Sequence, residues 1–221
     1  MSEAEIPALQ RALVALKKAR ARIEALEQAR NEPVAIVGMA CRFPGAADPE
    51  VFFQALCRGE DAVRRIPPTR WPESALAGAA PAVQFAGLLD EVDRFDAAFF
   101  AISPKEASAL DPQQRLLLEV TWEALDSAGL CPEPLLPRRT GVFMGLCNAD
   151  YRQVLTQAAA PTDAYAGTGT ALSTAAGRIS FVLGLQGPCM VVDTACSSSL
   201  VAVHLACQSL RSGECEVALA G

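Results

Sequence analysis

Residues 187–210, GPCMVVDTACSSSLVAVHLACQSL, constrain the fold of this chain more than any other stretch. The apolar run 189–193, bounded by turn residues, reads as a strand. It leads into Asp193-Thr194-Ala195-Cys196 and three serines, after which an almost wholly apolar segment has the length of a buried helix. Cys196 is thereby expected at a strand-to-helix turn. Residues 140–146 form a second short apolar run of strand type, 34–39 a third, and the closing EVALAG (216–221) a fourth that stops without cap, tail or turn, as if cut off. The Gly-rich stretch 167–187 is expected to hold a helix and turns. Strands alternating with helices place the chain in the α/β class.

One helix is written out in local chemistry. Asp111 followed by Pro112 is an N-cap and a first-turn proline, and Leu116, Leu117, Val120, Trp122 and Leu125 follow before Gly129 ends the segment at about residue 128. Arg115 and Glu119 lie at i,i+4 spacing on it. Upstream, the Pro- and Gly-rich region through residue 82, which includes Pro67-Pro68, reads as short helices joined by surface loops.

Residues 1–30 differ from the rest: they hold no Gly and one Pro, and are rich in Ala, Leu, Glu, Lys and Arg. With Leu9, Leu16 and Ile23 at heptad position a, Ala12, Ala19 and Leu26 fall at d, which predicts a short parallel coiled-coil helix. The alternative is one amphipathic helix lying on its own domain, because three heptads are marginal for an isolated coil. Residues 31–33, ending in Pro33, must stop the helix. The segment carries a net charge of +2 against −6 for the whole chain.

At 221 residues, 51% hydrophobic and 20% charged, the chain buries one sizeable core or belongs to a larger fold. Its acidic balance, with no basic stripe interleaved with aromatics, excludes a surface built to follow nucleic acid. The apolar runs are too short to span a membrane. Eight cysteines (41, 57, 131, 147, 189, 196, 207 and 215) are scattered without a CxxC pair, and the opening residues lack an apolar signal region. Free thiols in a cytoplasmic protein are the expectation.

At a strand-to-helix turn, the helix dipole and its unpaired N–H groups stabilise a thiolate, and the backbone N–H of Cys196 is placed to donate to a developing oxyanion. The competing reading is a small buried thiol, as expected for the other seven cysteines. His204, the one histidine, lies eight residues further along the same helix, ~12 Å along its axis at 1.5 Å per residue, and cannot serve Cys196 as a base. It reads as a helix residue with a structural hydrogen bond, and Asp193 as an anchor of the turn.

DTACSSSL (193–200) closely resembles the active-site signature of the beta-ketoacyl synthase domain of modular type I polyketide synthases. Four further blocks resemble it in order: PVAIVGMACRFPG (33–45), FDAAFFAISPKEASALDPQQRLLLEVTWEALDSAGL (95–130), TGVFMG (140–145) and AGRISFVLGLQGP (176–188). The resemblance covers residues 33–221, roughly the first half of such a domain. It implies a thiolase-like layered α/β fold, present here as its N-terminal half and built as a homodimer with residues 188–193 at the interface. It also implies that Cys196 carries the growing acyl chain as a thioester.

The implied reaction is a decarboxylative Claisen condensation. Cys196 takes an acyl group from the phosphopantetheine arm of an acyl carrier protein, a malonyl-type extender on another carrier loses carbon dioxide, and its carbanion attacks the thioester. The family's two histidines and lysine are implied to lie beyond these residues, so the segment alone is not expected to condense, and no cofactor or metal is expected on it. Residues 1–30 resemble the docking helices that receive the tail of an upstream polyketide synthase polypeptide, for which a positive balance suits an acidic partner. Two departures stand out. Residues 65–85 are short for the family, and Ala86-Gly87-Leu88 stands where Gly-Gly-Phe is frequent. Two other readings compete: a docking and dimerisation module, or a thiolase-like or fatty-acid-type condensing enzyme.

Overall fold

The computed structural model describes residues 5–72, 74, 77–78, 80–130, 139–158 and 163–221, and within its first helix the side chains of residues 10–24 and 27. Cys131 lies outside the described residues.

Three parallel strands organise the fold: β3 (Thr140–Gly145) lies between β4 (Cys189–Val192) and β5 (Val217–Ala220). The register sets Gly145 opposite Val192 and Thr140 opposite Val217. Because side chains alternate along a strand, Val142 and Met144 face one side of the sheet and Phe143 the other. On the first side they pack with Leu118 of helix α4 (Pro112–Ser127), Ala176 and Ile179 of α7 (Thr174–Val182), and Phe100, Ile102 and Leu110. On the second, Phe143 packs with Ala202 and Ala206 of α8 (Ser198–Ser212). Burial on both faces is why β3 is a continuous apolar run. Fully burying side chains such as Phe143, Leu110 and Ile179 stabilises the fold by about 1.5–3 kcal/mol each. The α/β expectation therefore holds, as layers of helix, sheet and helix.

Helix α4 begins as its local chemistry dictates. The Asp111 carboxylate accepts from the Gln113 N–H at 2.8 Å, Pro112 occupies the first turn, and Gly129, at φ 67°, follows the last residues. Arg115 and Glu119 do not pair. Arg115 donates to the Leu110 carbonyl at 2.8 Å and to the Tyr151 hydroxyl at 3.0 Å, since its guanidinium is buried against the start of the helix rather than exposed along it. Glu119 accepts from the Asp96 N–H instead.

Residues 34–39 are not a strand. They run extended with no ladder partner among the described residues, and Ile36, Val37 and Met39 are largely exposed. Gly38 instead sits on α4, where a Cβ would come 2.3 Å from the Ala124 carbonyl oxygen. This segment, β5 and the adjoining faces of α4 and α8 line one apolar cleft of about 1000 Å³. An apolar run becomes a strand only where a neighbour completes its hydrogen bonds. The Pro- and Gly-rich region also departs from expectation. Helix α2 (Pro49–Arg58) is present, but β1 (Val63–Arg65) pairs antiparallel with β2 (Phe85–Gly87), so a two-stranded ribbon stands where only helices and loops were expected.

Helix α1 (Glu5–Arg30) is continuous and exposed along residues 10–24, with Leu16 and Ile23 of the heptad seam 69% and 55% open to solvent. Its far end meets the domain where Arg211 of α8 donates to the Glu32 carbonyl. Between residues 10 and 24 the described part of the seam is open to solvent rather than packed on the domain, against the reading of α1 as an amphipathic helix folded along its length on its own core. Leu9 and Leu26 lie outside the described side chains.

Candidate active site

Cys196 sits at the predicted place, in a single 3-10 turn (Ala195–Ser197) between the end of β4 and the start of α8. Its side chain is exposed, against the reading of a small buried thiol. The turn is held by side chains from its own sequence. Asp193 Oδ1 accepts from the Ala195 N–H at 3.1 Å, as expected of a turn anchor. Ser197 Oγ donates to the Thr194 carbonyl at 2.9 Å, and Ser198 Oγ accepts from the Thr194 N–H at 2.9 Å while donating to the Ala195 carbonyl at 2.7 Å. These bonds hold Ala195 at φ 54°, the left-handed region, which costs a residue with a Cβ about 1–2 kcal/mol.

The start of α8 is pressed onto the end of β3. A Cβ at Gly145 would come 2.7 Å from the backbone of Ser198 and of Ser199, so only glycine lets the helix terminus approach the sheet this closely. Because β3 and β4 are parallel, the segment after β3 leaves the sheet at the same end as the Cys196 turn, and the Leu146 N–H still donates to Val192. The carboxyl ends of parallel strands are where α/β proteins place their sites. Gln113, at the start of α4, reaches across to the same region and donates to the Asn148 carbonyl at 2.9 Å.

Behind this end lies a polar brace that the sequence did not single out. The buried Gln114 amide donates to the Gly169 carbonyl at 3.0 Å and accepts from Arg178 Nε at 3.0 Å, while Arg178 also pairs with Glu106. It joins α3 (Pro104–Ala109), α4, α6 (Ala164–Thr170) and α7. Glutamine and arginine at helix positions read as surface from the sequence; only burial reveals the brace.

His204 does not make the structural hydrogen bond expected of it: its ring is exposed on α8 and has no partner among the described residues. With α8 continuous from Ser198 to Ser212, its separation from Cys196 along the axis stands. The other cysteines are not uniformly buried. Cys57, Cys147 and Cys189 are exposed, Cys41 and Cys207 half-buried, and Cys215 buried, all as free thiols. Exposure therefore does not distinguish Cys196; the turn built around it does. Burial, with Asp48 close by, pushes the Cys41 thiol up, away from nucleophilic use. Among the described residues no three His, Cys, Asp or Glu side chains are grouped to hold a metal ion, and no helix is long and apolar enough to cross a membrane.

Comparison with known proteins converges on one family. The family described as "Beta-ketoacyl synthase, N-terminal domain" matches residues 31–221. The chain is 53% identical over 197 residues to a phenolphthiocerol/phthiocerol polyketide synthase protein of Mycobacterium tuberculosis, covering 86% of this chain and 11% of that protein. It is 55% identical over 195 residues to a spectinabilin polyketide synthase system protein of Streptomyces orinoci, covering 86% and 5%. Among solved structures it superposes on a ketosynthase from module 6 of the bacillaene synthase of Bacillus subtilis 168 with a TM-score of 0.74 at 36% identity, covering 84% of this chain and 30% of that one. A ketosynthase domain of Streptomyces albus JA3453, from oxazolomycin synthesis, superposes with a TM-score of 0.75 at 39% identity, covering 84% and 33%. The chain thus spans about a third of the solved domains and a far smaller share of the synthases. With its thiolase-like fold and this run of matches from residue 31 onward, the chain belongs to the beta-ketoacyl synthase family of polyketide synthases, as its N-terminal domain.

Proposed function

We propose that Cys196 is the acyl-accepting nucleophile of a polyketide synthase ketosynthase. The observation that carries this reading is its exposed thiol on a hydrogen-bonded turn between β4 and α8, at the carboxyl end of the sheet. The thiolate attacks the carbonyl carbon of an acyl group on the phosphopantetheine arm of an acyl carrier protein. The arm's carbon–sulfur bond breaks, and its sulfur leaves as a thiolate that takes up a proton. The Cys196 backbone N–H is the donor for the tetrahedral oxyanion. In the second half-reaction a malonyl-type extender loses carbon dioxide and its carbanion attacks the Cys196 thioester. The new carbon–carbon bond releases Cys196 and leaves a beta-ketoacyl thioester.

Proton handling and decarboxylation need groups outside these 221 residues, since His204 stands too far along α8 to act. On this reading the segment takes up an acyl group and does not condense by itself. No cofactor resides on it; the phosphopantetheine arm is substrate. The whole protein works in the cytoplasm as a homodimer, with the exposed β4 edge and its Cys189 and Met190 at the interface. Residues 1–30 form a docking domain for an upstream synthase polypeptide, a reading favoured by the exposed Leu13, Leu16 and Ile23 of α1. Residues 33–221 form the catalytic segment.

Incubation with an acyl thioester and measurement of intact mass tests the assignment. The unaltered chain and Cys207→Ala gain one acyl group, whereas Cys196→Ala gains none. Equal loading of Cys196→Ala overturns it.

A further inference from the structure

We infer that Ser198 is a positioning residue that locks the strained turn presenting Cys196. The inference rests on Cys196 being the acyl acceptor. Three serines follow Cys196, and the sequence does not rank them. The structure does: Ser197 and Ser199 are exposed, while Ser198 is 5% exposed. Water can replace a hydroxyl at an exposed position, but it reaches less readily the buried site of Ser198, whose two bonds are part-buried.

The Ser198 hydroxyl makes two bonds that bracket the peptide between Thr194 and Ala195. It accepts from the Thr194 N–H at 2.9 Å and donates to the Ala195 carbonyl at 2.7 Å. Ala195, between those contacts and Cys196, is the residue at φ 54°. A residue with a Cβ stays at positive φ only where its surroundings over-determine it. Asp193 and Ser197 also bond this turn, but from exposed positions. Ser198 itself is immobilised, because its backbone and Cβ lie against Gly145, where a Cβ would come within 2.7–2.9 Å of them. The clip therefore transmits the position of β3 to Cys196. Without the hydroxyl, Ala195 relaxes toward negative φ and changes how the turn presents the exposed thiol of Cys196.

This mechanism predicts a coupling between two residues. Glycine adopts positive φ without the Cβ penalty, so Ala195→Gly removes the strain that the clip holds. The experiment follows the rate at which iodoacetamide alkylates Cys196 in the intact polypeptide, resolved by peptide mass mapping, with buried Cys215 as the folding control. Ser198→Ala slows Cys196 alkylation on the order of tenfold while Cys215 stays protected. In the Ala195→Gly background the same substitution slows it about threefold or less, a non-additive result of the kind expected for residues in contact.

Equal effects in both backgrounds, or a Ser198→Ala rate within about twofold of the original, overturn the inference. If Ser198→Ala unfolds the chain and exposes Cys215, the double variant decides. Recovery of Cys215 protection supports the clip, and continued exposure shows Ser198 to be only a folding residue. Acyl loading is scored separately. Coupled alkylation with no acyl uptake by the unaltered chain removes the nucleophile reading and leaves the clip; acyl uptake with additive alkylation does the reverse.

Discussion

Around Cys196, single atoms decide the geometry. The approach of α8 to β3 is set by the missing Cβ of Gly145, since the backbone atoms of Ser198 and Ser199 occupy the space a methyl group would need. Gly145→Ala is expected to destabilise the chain by about 1–3 kcal/mol, because the added methyl would meet the α8 backbone and the Ser198 Cβ rather than the far end of a flexible side chain. A urea titration would show a lower midpoint at unchanged slope. An unaltered midpoint would mean that the helix terminus can move off the sheet freely, and with it the Cys196 turn. Sequence reading found Cys196 and Asp193 because strand, turn and helix are encoded within a dozen neighbouring residues. It did not rank Ser198 above Ser197 and Ser199, since burial is conferred by β3, more than 50 positions away in the chain.

Between elements, ion pairs and caps hold short helices that propensity alone would not. Helix α6 is seven residues long, and Asp163 caps it by accepting from the Tyr165 and Ala166 N–H groups at 3.0 and 3.1 Å. Lys105 of α3 pairs with the same carboxylate at 2.8 Å. The hydrogen bond from Lys105, followed by that from the Ala166 backbone, holds the Asp163 carboxyl below the usual carboxylate range. A carboxylate lowered in the folded state adds stability above its unfolded pKa, and that contribution is lost as pH falls through the folded value. The difference in urea midpoint between the unaltered chain and Asp163→Asn should therefore be constant from neutrality down to about pH 4 and close below it. Lys105 is exposed and Asp163 only partly buried, so the difference is small. A gap that persists unchanged in acid would show that the ionised carboxylate, and with it the Lys105 pair, is not its source.

At the scale of the whole molecule, the sheet is covered on both faces while its edges β4 and β5 carry no further strand among the described residues. Large apolar side chains stand exposed nearby, among them Phe181 at 87%, Ile36 at 79% and Leu200 at 74%. Surface of this kind is a feature of interfaces. The extended helix α1 belongs to the same picture, and the docking role proposed for it predicts a separable behaviour. Substituting Leu16→Glu and Ile23→Glu together would place charges in the heptad seam and abolish association through α1. Light scattering would register the loss of that association, while acyl loading of Cys196 stays as it was. Loss of loading as well would mean that α1 supports the catalytic segment directly.

The cap and proline of α4, the apolar runs of β3 and β4, the helix α1 and the place of Cys196 were all determined by the sequence, because each is carried by residues close together in the chain. What only the tertiary structure decided is non-local. The order β4-β3-β5 puts neighbours in the chain on opposite edges, and the β1–β2 ribbon joins two strands of three residues across some twenty positions. Residues 34–39 read as a strand but have no ladder partner among the described residues, and Arg115 turned from Glu119 to Leu110 and Tyr151. Local chemistry sets which conformation a segment prefers. Which segments meet, which of three serines is buried and where an arginine directs its hydrogen bonds follow from packing, a property of the folded chain as a whole.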